Sequence, residues 1–362
     1  YILDFIENGD QDNLINLKII VEEQKILENR VEFAAFLRLI SQISKNHHRV
    51  PEFYDRLEQI LTYYDKEIKQ TFTNSEIFNF YKTDKRMTYL LLEKGLVTLD
   101  KNMAKYIFKK NDKYNKNSVL YFWKYLEGSL DERKKKMLAR KFSKIDSETQ
   151  SKFDKKCQIG ENDTEIATFI RNDSVQEFIQ YINMNHISVN VKIKPSLFET
   201  NRFLIEKEPS LIEYAAFFGS IQIFQYLKMN NAEIEKSIWL FAIHSKNAEL
   251  IHLIESCHLL DDDDKFYEDI LKEAIICHHN DLSEYIKNIL PQIFMNYDGE
   301  KKFWRNINTE CFHSYNYFNF PDECVNKYVL HDACSYNYLE IVQLLLKMIS
   351  FDLNENIISI IF

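Results

Sequence analysis

Apolar residues recur at helical spacing along most of the chain. Residues 31–44 place Phe33, Phe36, Leu37, Ile40 and Ile43 on one face, and residues 52–64 do the same with Phe53, Leu57, Ile60, Leu61 and Tyr64. The polar stretch Lys45-Asn46-His47-His48-Arg49-Val50-Pro51 separates them as a loop whose proline suits a helix start. From about residue 75 the pattern predicts helices in pairs. Ile77 to Tyr81 is followed by Met87, Leu90, Leu91 and Leu92, and Gly95 stands where a left-handed cap would end the second helix. Further helices are expected at 101–109, at 118–127 and within 130–158.

From residue 161 onward a motif repeats. Alanine is scarce, yet Ala167, Ala215, Ala242, Ala274 and Ala333 each precede an aliphatic residue at the same distance: Val175, Ile223, Leu250, Leu282 and Ile341. Two further apolar positions follow in each copy, as in Tyr226-Leu227 and Leu253-Ile254. The clearest copy is 209–228, two short helices hinged at Gly219. A helix pair of this length cannot bury its own apolar face and must stack on copies of itself, with the alanine allowing close approach. Replacing Ala242 by Leu should cost about 1–3 kcal/mol through overpacking.

The copy at 328–346 resembles an ankyrin repeat, with Leu330, His331 and Ala333 matching its opening pattern and Tyr328-Val329 in place of Thr-Pro. The segments Lys194 to Asn201, Pro209 to Ser220 and Ile276 to Asp281 are similar to a large expanded family of parasitic protists, whose members carry an uncharacterised helical region followed by ankyrin repeats. The resemblance implies an all-α fold, an ankyrin-type α-solenoid of stacked antiparallel helix pairs with a helical N-terminal region. The expected division is an N-terminal helical region over 1–74, degenerate ankyrin-like pairs over 75–160 and ankyrin repeats over 161–362. Successive motif alanines lie 48, 27, 32 and 59 residues apart, against a repeat of about 33. The long gaps imply inserted loops near 183–208 and 291–327.

Composition narrows the class. With 6 Gly and 5 Pro in 362 residues, composition argues against a turn-rich β-sandwich and favours helices joined by short polar connections. The net charge of −9 disfavours nucleic acid, although residues 131–156 carry a local basic excess that could touch an anionic nucleic acid or lipid. No Cys-x-x-Cys occurs among the 6 cysteines, which suits reduced thiols in an intracellular, cytoplasmic setting. The apolar ending Ile357 to Phe362 reads as an element cut short, which raises the alternative of a structural subunit of a larger assembly.

Candidate chemistry is sparse. The chain contains no phosphate-binding glycine loop, no His-Glu-x-x-His and no Gly-x-Ser-x-Gly, so an enzyme of those classes is not expected. Cys277, His278 and His279, joined by Cys257 and His258, could supply soft metal ligands. The repeat register places the two adjacent histidines at a turn, where main-chain bonding is expected instead, so neither metal nor cofactor is expected. Phe312, Tyr315, Tyr317, Phe318 and Phe320 form an aromatic cluster read as a local minicore. The function expected is a non-catalytic protein-interaction scaffold with another protein as partner. Its candidate contacts are Glu213, Phe217, Leu240, His244, Lys272 and Asp332 near helix starts and turns, and the acidic loop tip Asp261, Asp262, Asp263 and Asp264.

Overall fold

The computed structural model describes residues 2–9, 11–47, 52–108, 118–126, 128, 147–260, 264–289, 297–316 and the short pieces 330–331, 333–334, 342–343 and 346. Among these the fold is all-α, without a strand. The chain divides into two compact units. One joins residues 1–49 to 235–362, and the other is 50–234.

The first unit opens with α1 (Ile2–Asn8), α2 (Gln11–Glu23) and α3 (Arg30–Asn46). Asn29 caps α3 by accepting from the Val31 N–H, and the apolar face anticipated for this helix is buried at Phe33, Phe36, Leu37, Ile40 and Ile43.

The second unit begins with α4 (Phe53–Tyr63) and α5 (Asp65–Thr71), and continues into the pair α6 (Asn74–Tyr81) and α7 (Lys85–Glu93). Thr73 and Glu76 close a capping box on α6, and Asp84 caps α7 through the Met87 N–H. Gly95 has φ +67° after α7, in the left-handed conformation anticipated for it. Next come α8 (Lys101–Phe108), α9 (Ser118–Tyr121), α10 (Trp123–Leu126) and α11 (Ser147–Ile159). The α11 helix packs on α7, where Asp154 takes a hydrogen bond from the Tyr89 hydroxyl and pairs with Lys124.

Two stacked pairs complete this unit: α12 (Glu165–Arg171) with α13 (Val175–Met184), and, after α14 (Arg202–Lys207), α15 (Leu211–Phe218) with α16 (Ile221–Met229). The first helices pack on each other, as do the second helices. Ala167, Ala215 and Ala216 are fully buried in this stack. The turn between α15 and α16 puts Gly219 at φ 70° and ψ 26°, a conformation costly for most other residues. The corresponding turn in the preceding pair uses Asp173 at φ 49°. Its carboxylate accepts the Ile223 and Gln222 N–H groups at 2.9 and 3.0 Å, capping the start of α16, while the Ser220 hydroxyl donates to the Ile170 carbonyl. Counting from the left-handed residue, Asp173 matches Gly219, so Ala167 lies two positions earlier in its pair than Ala215 does. The two turns carry the same main-chain bonds, from the Asp173 and Ser174 N–H groups to the Ile170 and Phe169 carbonyls and from the Gly219 and Ser220 N–H groups to the Ala216 and Ala215 carbonyls, so Phe169 stands where Ala215 does and the expected register at Ala167 is shifted by two. The expected insertion at 183–208 contains α14 and a single antiparallel bridge between Lys192 and Ser210, and Ser210 also forms a capping box with Glu213.

The first unit resumes with α17 (Ile238–Ser245), α18 (Ala248–Glu255), α19 (Asp264–Ile276), α20 (Asn280–Ile289) and α21 (Tyr297–Ser314). Lys246 and His278 occupy the left-handed positions at φ 50° and 59°. The expected insertion at 291–327 is in part the long helix α21, which packs along α19. Within this unit α3 reaches the end of α21. Gln42 donates to the His313 carbonyl at 3.0 Å, and Arg38 donates to the Tyr315 hydroxyl at 3.2 Å. Phe312 and Tyr315 are buried there, while Tyr317, Phe318 and Phe320 lie outside the described residues. No described helix is long and apolar enough to cross a membrane.

Candidate functional site

Among the described residues of the first unit, a buried polar cluster lies at the turn between α19 and α20. Glu273 and Cys277 are one helical turn apart, and the Cys277 N–H still bonds to the Glu273 carbonyl at 2.9 Å, so both side chains share a face. That face packs on α17, which supplies His244. The His244 Nε2 lies 2.8 Å from Glu273 Oε1, and Cys277 Sγ lies 3.4 Å from Nδ1 and 3.8 Å from Nε2 of the same ring. The ligand-type atoms of all three residues fall within 4.8 Å of one another. Cys277 is fully buried and the His244 side chain is 3 % exposed, while Glu273 is 16 % exposed.

A second set of groups surrounds the same turn. The Cys277 carbonyl accepts a bond from His47 Nδ1 at 2.8 Å, and His47 Nε2 lies 3.1 Å from Glu7 Oε1. Lys246 pairs with the same Glu7 carboxylate. The His47 bond is the largest cause holding the Glu7 carboxyl at about 2, ahead of burial, which opposes it, and of Lys246. The His279 ring is 5.0 Å from that of His47. His278 is buried. Burial, followed by His47, pushes its imidazole down to about 3, against the Ser314 and Ile276 main chain.

Burial also raises the Cys277 thiol well above its ordinary range, with Glu273 adding to the effect. On α21, burial and then the Glu273 charge lift the Glu310 carboxyl to about 7, opposed by Lys272. Thiol, imidazole and carboxylate thus stand in the order of a nucleophile, its base and an orienting group. With no part of the Cys277 side chain reaching solvent, the thiol has no path to a substrate. The arrangement suits an internal hydrogen-bond chain or a ligand set.

Beside this cluster the first unit holds a cavity of about 600 Å³, walled by Leu17, Ile20, Phe36, Leu39 and Ile43 and closed at one end by His278, Tyr315 and Asn316. In the second unit a smaller polar cleft of about 400 Å³ runs past Asp55, Glu58, Arg86, Glu93 and Lys94. There the Arg86 guanidinium lies 3.2 Å from the Tyr54 ring centre.

The residues singled out from sequence are scattered over these features. Phe217 is buried and stacks on Phe203, and His244 is buried in the cluster; neither side chain is available to a surface partner. Glu213 is held in the α15 capping box, and Lys272 pairs with Glu268. Leu240 is half-buried. Asp264 begins α19. Asp261, Asp262, Asp263 and Asp332 lie outside the described residues, as does most of the basic segment at 131–146. Of the metal-type residues considered, Cys277 does stand among ligand groups, but its companions are His244 and Glu273 rather than His278, His279, Cys257 or His258. A signal was present in the Glu-x-x-x-Cys spacing and in a histidine 33 residues upstream of the cysteine, about one repeat length. The described cysteines form no disulfide.

The chain matches no protein-family model, no curated protein and no solved structure.

Proposed function

We propose that the chain is a non-catalytic protein-interaction scaffold built of ankyrin-type repeats. The observation that carries this reading is the exposed edge of the stacked pairs in the second unit. Met184 and Met229, the last residues of α13 and α16, are 80 % and 75 % exposed. These two helices occupy equivalent places in successive pairs and pack side by side, so their ends lie on one edge. Val191, beside the Lys192–Ser210 bridge, is also exposed. Flexible thioether side chains displayed on a rigid stack adapt readily to a partner's apolar surface. The recurrent helix, left-handed turn and helix also support the ankyrin assignment.

The test is chemical crosslinking and affinity recovery from a native lysate, comparing the wild-type chain with M184E/M229E. A specific partner recovered by the wild type should fall at least about tenfold with the double variant, with an unchanged melting temperature, because two exposed methionines that the partner would cover are replaced by two charges that the complex would desolvate. Equal recovery by both proteins removes this edge as the docking surface. If the wild type recovers no specific partner, the scaffold reading fails.

A further inference from the structure

We propose that His244, Glu273 and Cys277 form a binding site for a divalent, borderline-soft metal ion of the zinc type, with one imidazole nitrogen, one carboxylate oxygen and one thiolate as ligands. The donor set carries the argument first. Nitrogen, oxygen and sulfur together suit zinc, and three protein ligands leave the fourth tetrahedral position open to water.

Geometry carries it second. Zinc bonds of about 2.0–2.1 Å to nitrogen and 2.3 Å to sulfur require a nitrogen-to-sulfur separation of about 3.6 Å. His244 Nε2 and Cys277 Sγ are 3.8 Å apart. The 2.8 Å from Nε2 to Glu273 Oε1 is a direct hydrogen bond, and it would open by about half an ångström to admit the ion. Glu273 can make that movement because it is the partly exposed member of the three, and its side gives the ion a route in. His244 and Cys277 are fixed by packing on two neighbouring helices, as a ligand set needs.

Loading transfers the Cys277 proton to solvent, so binding weakens as pH falls and releases a proton as it occurs. The filled site would tie α17 to α19 within the first unit. The proposal does not depend on the scaffold reading, since metal binding is measured without any partner.

The experiment uses the full chain stripped with a chelator, then titrated with zinc and, separately, with cobalt as a spectroscopic substitute. The expected result is one equivalent of cobalt bound with a thiolate-to-cobalt charge-transfer band, displaced by zinc. That band should be absent in C277S and retained in C257S, whose thiol is more exposed. Because C277S could misfold, E273Q provides the second arm. Its amide can keep a hydrogen bond with His244, and affinity should fall at least about tenfold with the circular dichroism unchanged. Absence of stoichiometric binding by the wild-type chain overturns the proposal. So does a cobalt band that survives in folded C277S or disappears in C257S, since either result places the ion on another thiol. An affinity unaltered in E273Q removes the carboxylate from the site and overturns the three-ligand set.

Discussion

The turn at Gly219 and the turn at His278 have the same backbone and opposite surroundings. Both join two helices of a pair through one left-handed residue, at φ 70° and φ 59°. Around Gly219 the neighbours are mostly apolar: Ala215, Ala216, Phe217, Ile223 and Phe224 are all buried, and the polar side chains there, Ser220 and Asp173, are each satisfied by main-chain groups. Around His278 the chain has placed His244, Glu273, Cys277, His279 and His47, with Glu7 behind them. Buried polar groups contribute less to stability than the apolar residues they displace unless every bond is made. The repeat geometry therefore explains the first turn fully, whereas the second carries polar groups that a stacked helix pair does not need.

The comparison can be broken most forcefully at Ala215 and Ala242, each four residues before its left-handed turn position. Ala215→Leu in the second unit and Ala242→Leu in the first should each cost about 1–3 kcal/mol by overpacking, measured by urea unfolding. A neutral result at either position would mean that the helix containing it is not closely apposed to its neighbour. At the turn itself, Gly219→Ala should cost about 1–2 kcal/mol, because an L-residue pays for the left-handed conformation. His278→Gly relieves a strain of that kind while removing buried ring atoms, so its effect should be smaller than the Gly219→Ala loss.

A further effect concerns acid. Glu7 titrates near 4.5 unfolded and about 2 folded, so its ion pair contributes stability that is fully present above about pH 4.5 and is lost as pH falls to about 2. Glu7→Gln should therefore be less stable than the wild type at neutral pH, and the gap should close across that window in acid unfolding curves. A gap that stays constant from pH 6 to 2 would show that the Glu7 bonds to His47 and Lys246 contribute nothing to folding.

Much of the helical architecture was legible locally. The apolar stripe of Phe33, Phe36, Leu37, Ile40 and Ile43, the cap at Gly95, the hinge at Gly219 and the burial of the motif alanines all follow from periodicity and from what small residues permit. The candidate site was legible only in pieces. His244 was read as a surface contact, although it sits in a helix that is apolar on nearly every side, Ile238-Trp239-Leu240-Phe241-Ala242-Ile243, a sign of burial.

Helix content and the turns at Gly95 and Gly219 came from residue order alone, because they depend on contacts a few positions apart, whereas the left-handed turns at Asp173, Lys246 and His278 carry no glycine to announce them. Tertiary packing decided that residues 1–49 share a unit with 235–362. That packing also brought the Cys277 thiol to His244 and its carbonyl to His47, 230 positions away in the chain. The physical reason is that helical periodicity specifies which face of a helix is apolar but not which other helix covers it. The chemistry at the α19–α20 turn exists only once that choice has been made.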